Sequence, residues 1–193
     1  MADTIKILLF KGFLTILIFP ISTIIFLIFI FHFFLEEGPF FFKQERSGLN
    51  NEIINLVKIR TMNENKISKF GIFLRKTKLD ELPQFFLLLS GKLSLVGPRP
   101  LLKEYTNYYK KSELIRFTVN PGLTGLSQIK AKDNTSWDKR LKWDIIYVKK
   151  KSFKLDIYII LITIKIIFLN LLNKRKDLGN FIRLDEVRKT NGK

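Results

Sequence analysis

Cysteine is absent from the chain, so neither a disulfide framework nor a cysteine-based metal site can form, a composition that suits a cytoplasmic active face. There is a single histidine, His32, at the end of an apolar run, where it reads as an interfacial polar group rather than a catalytic one. Acidic residues are scarce: 17 Asp and Glu stand against 34 Lys and Arg, for a formal net charge of +17. Such an excess favours polyanionic neighbours, namely nucleic acid, anionic lipid headgroups or phosphorylated substrates. The heavy use of Lys, Ile, Asn and Phe is also what an AT-rich genome imposes on solvated faces, so charge alone selects no partner. Aromatic residues cluster in apolar runs instead of alternating with basic ones, so no base-stacking surface is expected and no nucleic-acid partner. At 193 residues there is room for one domain and a membrane segment, and none for a second nucleotide-binding domain of ordinary size. No internal repeat is visible.

What is present begins with an apolar run from Gly12 to Leu35, without a single Lys, Arg, Asp or Glu. As a straight helix it would reach roughly 36 Å, enough to cross the hydrocarbon core. It is too long for a cleaved signal peptide, and no small-residue cleavage site follows. Two features oppose a simple crossing. Pro20 lies inside the run, where its ring and missing N–H break or kink a helix. Only Lys6 and Lys11 precede the run and every other Lys and Arg follows it, so a span would leave basic groups outside, against the positive-inside tendency. A helix bent at Pro20 that returns to the same face satisfies both, with Ser22 near the break to take a freed carbonyl; a kinked span is the alternative.

Beyond Gly38-Pro39, residues 40–46 and 52–60 flank the turn-forming Ser47-Gly48-Leu49-Asn50-Asn51 and predict a β-hairpin. Asp80-Glu81-Leu82-Pro83 predicts a helix start with Asp80 as N-cap, a face of Leu82, Phe85, Phe86 and Leu89, and an end at Gly91. Ser136 predicts the cap of a helix whose stripe is Trp137, Leu141, Ile145 and Val148. Asp156 predicts the cap of a last helix to Leu172, with a stripe of Ile157, Ile160, Leu161, Ile164, Phe168 and Leu171. Lys165 in its middle favours lying in the membrane interface over crossing, and an ordinary core helix is equally compatible. A basic, polar, partly disordered tail is expected from Lys174.

Four segments carry the candidate chemistry: Lys58-Ile59-Arg60-Thr61-Met62, Arg75 to Gln84, Ser94 to Pro100, and Asn120 to Gln128. Adjacent Asp80 and Glu81 repel, and a cation would favour keeping both ionised; Mg²⁺ binds through one or two carboxylates plus substrate phosphates, so the pair is a reasonable half-site. A carboxylate also serves as a nucleophile toward phosphorus. Read alone, the pair is equally a cap and a first-turn dipole partner. Arg99, between Pro98 and Pro100, is held on a stiff extended strip that suits phosphate binding, or is a surface Arg on a rigid turn. Arg60 and Arg75 alone are ordinary surface charges.

The order of these segments resembles the bacterial sugar transferase family, the monotopic polyprenyl-phosphate phosphoglycosyltransferases, from the membrane run to about Leu172. That pattern is a hydrophobic segment, Lys-x-Arg-[Ser/Thr]-Met, Asp-Glu-Leu-Pro-Gln, Gly-Pro-Arg-Pro and Pro-Gly-[Ile/Leu]-Thr-Gly, and all five occur here in order. The resemblance, to the minimal form of the family, implies a mostly α fold with a β-hairpin: a re-entrant membrane helix (residues 1–37), a cytoplasmic catalytic domain with interfacial amphipathic helices (38–173) and a basic tail (174–193). It implies Asp80 as nucleophile on the β-phosphate of a UDP-sugar, Glu81 and Asp80 on Mg²⁺, and Arg75, Arg99, Lys58 and Arg60 on phosphate. The acceptor would be polyprenyl phosphate, the place the bacterial inner membrane with the site on its cytoplasmic face, and a homodimer would cover some of the apolar surface. Three departures stand out: Phe19-Pro20 replaces Ser-Pro, Lys58-Ile59-Arg60 replaces Lys-Phe-Arg, and Ala131-Lys132 stands where many members have Gly-Arg. The rival is a non-catalytic basic membrane scaffold of envelope glycan assembly, whose function would survive Asp80→Asn.

Overall fold

The structure, a computed structural model, describes residues 12, 15–63, 66–131, 135–172 and 183–190. Lys6, Lys11 and Lys132 lie outside them. The chain divides into two compact units, one of Met1–Lys43 and Val57–Gly91, the other of Gln44–Leu56 and Lys92–Lys193. Helices dominate, joined by three small strand pairings. The expected hairpin is present as β1 (Phe41–Ser47) and β2 (Ile53–Ile59), its open end in the first unit and its turn in the second.

The first unit opens with α1 (Ile18–Leu35). Pro20 falls in its first turn, where backbone N–H groups lack intrahelical partners anyway, so the helix runs on past it. Leu17, just ahead of the helix, also has a right-handed helical backbone, at φ −76° and ψ −9°. Thr23, rather than the expected Ser22, uses its hydroxyl on a backbone carbonyl here, donating to Phe19 O at 2.9 Å. Only Ile28 and His32, one turn apart, are buried on α1. His32 therefore sits inside the protein, not at an exposed interface, with its ring edge-on to Phe40 at 5.2 Å. Ile28 joins Ile59 and Leu74 in a core to which Phe40, Phe70, Leu79 and Leu82 add. The remaining aromatic face of α1 is bare: Phe19 is 81% exposed and Phe34 77%.

After the hairpin, β3 (Met62–Asn63) pairs antiparallel with β4 (Lys66–Ile67). Helix α2 (Lys69–Thr77) starts at Ser68, whose Oγ accepts from Gly71 N at 2.8 Å, and stops at Lys78, which turns left-handed at φ 61°. Leu79–Gln84 is then a 3-10 turn, followed by α3 (Phe85–Leu89). The single helix expected from Asp80 is thus split. With three residues per turn in its first part, the inward face shifts to Phe85 and Leu88, and Phe86 points outward. Gly91, at φ 73°, ends α3 in the left-handed conformation expected of it.

In the second unit, Asn50 and Asn51 adopt left-handed backbones in the hairpin turn, a conformation Asn tolerates. A parallel pair not foreseen from the sequence joins β5 (Ser94–Val96) to β6 (Gly122–Thr124). Their backbones pass so closely that a Cβ on Gly122 would lie 2.0 Å from Gly97 N. Two 3-10 segments, Lys103–Tyr108 and Lys111–Thr118, precede α4 (Leu126–Lys130), α5 (Trp137–Lys150) and α6 (Phe153–Leu172). Val96, Leu126, Tyr147 and Ile159 form one core cluster.

Helix α5 starts after Ser136, as expected, but its inward stripe is Leu141, Asp144 and Tyr147, two of them polar. Helix α6 starts three residues before Asp156: Ser152 Oγ accepts from Leu155 N at 3.3 Å, and Asp156 instead accepts from the Tyr147 hydroxyl at 2.9 Å. Only Ile159 is buried on α6, and Leu161, Ile164 and Phe168 of the predicted stripe are 58–61% exposed, which sets aside the core-helix alternative. Both α1 and α6 are long and apolar enough to cross a membrane. In the tail expected to be partly disordered, Leu184–Thr190 form helix α7, and residues 174–182 lie outside the described residues. Leu184 is fully buried beside Leu101, Tyr105 and Leu141, and Arg188 places both terminal nitrogens on Glu113 at 2.8 Å.

Candidate active site

Two of the four motifs interlock within the first unit. Lys58, near the end of β2, puts Nζ 2.7 Å from Glu81 Oε1. Thr61, just past β2, accepts from Arg75 Nε at 2.7 Å. Helix α2 can lie this close because Gly71 faces the strand; a Cβ there would come within 2.4 Å of Thr61 O. The left-handed Lys78 then reverses the chain, and Glu81 N bonds Lys78 O at 3.1 Å. The result brings Asp80 and Glu81 into a buried position among cations.

Asp80 is not the N-cap its sequence context suggested. Its Oδ1 is buried and has no hydrogen-bond partner. Burial pushes its carboxyl above the ordinary range and the neighbouring Glu81 pushes it further, while Lys58, Lys78 and Arg75 pull back. Arg75 feels the reverse: burial lowers it and Asp80 raises it. Of the predicted phosphate ligands in this unit, Lys58 and Arg75 are therefore gathered on the carboxylate pair. Arg60 donates its backbone N–H to Phe40 O at 2.8 Å, and its buried Nε has no partner. Thr61 and Lys78 complete the arrangement. Thr61 stands at a fixed place in the Lys-x-Arg-Thr-Met segment and so was findable; nothing in the sequence marks Lys78.

A buried carboxylate oxygen with an unused lone pair, beside a second carboxylate and three cations, is suited to receive a metal ion, a phosphoryl group or both. Among the described residues no group of three or more His, Asp or Glu could hold a metal unaided. Mg²⁺ requires only one or two carboxylates when substrate phosphates complete its shell, so the Asp80–Glu81 pair fits that ion.

Arg99 belongs to the second unit. Its segment is fixed by backbone contacts to the Pro-Gly-Leu-Thr-Gly segment: Gly97 N donates to Thr124 O at 2.9 Å and Gly122 N to Pro98 O at 3.0 Å. The third and fourth motifs are thus brought together, as the first and second are.

These two interlocked motif pairs sit on a mostly helical frame that carries two helices long and apolar enough to cross a membrane. The bacterial sugar transferase family model matches residues 2–170, and the chain belongs to that family. It is 41% identical over 140 residues to an uncharacterised sugar transferase, EpsL, of Bacillus subtilis strain 168, covering 66% of this chain and 69% of that one. It is 36% identical over 157 residues to a UDP-glucose:undecaprenyl-phosphate glucose-1-phosphate transferase of Klebsiella pneumoniae, covering 70% of this chain and 34% of the relative. An undecaprenyl-phosphate galactose phosphotransferase of Salmonella typhimurium is 39% identical over 105 residues, 54% of this chain and 22% of its own. The match thus spans about a third or less of these two transferases of known name.

Proposed function

We propose that the protein transfers a phospho-sugar from a UDP-sugar to polyprenyl phosphate, through a covalent intermediate on Asp80. The observation that carries this reading is the buried, unpartnered Oδ1 of Asp80, held among Glu81, Lys58, Lys78 and Arg75. An oxygen with no hydrogen bond to give up is a better nucleophile than a solvated one. The names of the relatives supply the substrate class: UDP-glucose as donor and undecaprenyl phosphate as acceptor in the Klebsiella enzyme.

In the first step a carboxylate oxygen of Asp80 attacks the phosphorus that bears the sugar. The bond from that phosphorus to the bridging oxygen breaks, and UMP leaves with the electron pair. In the second step a phosphate oxygen of the polyprenyl phosphate attacks the same phosphorus. The bond to Asp80 breaks, its carboxylate is restored, and a polyprenyl diphosphate sugar forms. Arg75, Lys58, Arg60 and Arg99 bind the anionic groups of donor and acceptor. Asp80 and Glu81 would hold Mg²⁺, which when bound offsets the charge of the diphosphate. Lys58 holds Glu81 in place for that role through its hydrogen bond to Oε1. The reaction starts assembly of a membrane glycan, on the cytoplasmic face of the inner membrane. There a re-entrant N-terminal helix lets the site meet a lipid and a soluble nucleotide together.

The test is intact-mass analysis of the purified protein after exposure to a panel of UDP-sugars with Mg²⁺ and no lipid acceptor. A mass gain of one phospho-sugar, absent in Asp80→Asn, is the expected result and also names the sugar. An equal gain in Asp80→Asn would remove Asp80 as nucleophile. UMP release with polyprenyl phosphate but without any covalent gain would replace the two-step route with direct transfer.

A further inference from the structure

The Gly97-Pro98-Arg99-Pro100 segment has an unusual problem of fixation. Pro98 and Pro100 have no N–H, so two of its four backbone donors are missing and a regular strand ladder cannot hold it. On the N-terminal side of Arg99 the gap is closed by Gly122 N, which donates to Pro98 O. On the C-terminal side it is closed by a side chain: Arg116 Nη2 donates to Arg99 O at 2.5 Å. Both peptide planes flanking the Arg99 Cα are therefore pinned, and with them the direction of its Cβ.

Arg116 is itself built in. Its side chain is 3% exposed and that of Asp144 is 5%, with Nη2 3.1 Å from Asp144 Oδ2. Its Nη1 donates to the Tyr109 hydroxyl at 2.6 Å, and the guanidinium lies over the rings of Tyr109 and Phe117. A buried ion pair seldom stabilises a fold more than apolar residues of the same shape would. A buried guanidinium that spends one donor on the carbonyl of a substrate-binding residue has a use that apolar residues cannot supply.

We propose that Arg116, anchored by Asp144, is the positioning residue for Arg99 and acts on the reaction only through it. The proposal rests on the reading of Arg99 as a phosphate ligand. The experiment is a double-mutant cycle on UMP release, with polyprenyl phosphate and the UDP-sugar that labels the protein. Arg116→Lys keeps a cation beside Asp144 but loses the planar fork that reaches both partners. It is expected to lower turnover by about tenfold or more in the native background. In an Arg99→Gln background the same change is expected to alter turnover by no more than about twofold. Equal losses in both backgrounds, with both proteins folded, would overturn the proposal. Tyr109→Phe, which removes one partner of Arg116 and keeps the ring, carries the same comparison should Arg116→Lys fail to fold. Arg99→Gln alone reports on the underlying reading: undiminished turnover in that single variant would show that Arg99 binds no substrate, and the proposal would fall with it.

Discussion

Asp80, the proposed nucleophile, is badly placed for ionisation in the resting protein, with its Oδ1 buried and unpartnered and Glu81 adjacent. A group whose folded pKa lies above its unfolded value favours the folded state most when protonated, and that advantage is lost as pH rises through the folded pKa. Once ionised, Asp80 is thus a net cost to the fold. Asp80→Asn is expected to abolish the mass gain and at the same time stabilise the protein by roughly 1 kcal/mol, about 2–4 °C in melting temperature. The gain should be full above the raised pKa of Asp80 and fade as pH falls through it toward the ordinary carboxylate range. Thermal unfolding of both proteins across that range checks it; a destabilised Asp80→Asn at pH 7 would mean that the carboxylate has a structural partner. At this scale Asp80, Glu81, Arg75 and Lys58 were legible because their motifs are contiguous. Thr61 was legible in position though not in role. Lys78 was not, since its contribution is a positive φ that a lysine does not advertise. Nor was the Arg116–Asp144 pair, whose members lie 28 residues apart, so that no local pattern links them.

Among the elements, the hairpin fell within a residue of its expected bounds, because its strand and turn residues are local signals. Local signals misled where two caps competed. Asp156 looks like an N-cap, but Ser152 stands earlier and takes the role, freeing Asp156 for Tyr147. The α5 stripe was misread because apolar periodicity gives no sign that a charged residue such as Asp144 has a buried partner. The parallel β5–β6 pair was invisible for a related reason: its strands are three residues each and their pairing is long-range. What makes that pair possible is glycine at the crossing. Gly122→Ala would drive a Cβ into the Gly97 backbone, which cannot rotate away, and is expected to destabilise by about 3 kcal/mol or more. Gly91→Ala is the contrast. Nothing lies within 4 Å of the added Cβ, so only the left-handed backbone is strained, and about 1 kcal/mol is expected. Denaturant unfolding of the two variants separates them, and equal losses would refute the close-approach account of Gly122.

For the whole molecule the open matter is how the N-terminal run meets the bilayer. Helix α1 alone has 18 residues, about 27 Å, close to the thickness of the hydrocarbon core. Length therefore permits a crossing, and the exposed aromatic face of α1 needs lipid under either topology. The charges favour re-entry: Lys6 and Lys11 stand before the run and the bulk of the basic residues after it, so a crossing would strand the first two outside. The absence of cysteine makes a clean test available, since each introduced thiol is the only one in the protein. Thr4→Cys and Glu37→Cys flank the run. In intact spheroplasts treated with a membrane-impermeant maleimide, the re-entrant reading expects neither to label, and both to label once the membrane is permeabilised. Labelling of Thr4→Cys alone in intact cells would establish a crossing. It would leave the chemistry of Asp80 untouched, because everything that gathers on that carboxylate comes from residues 58–81, beyond the run.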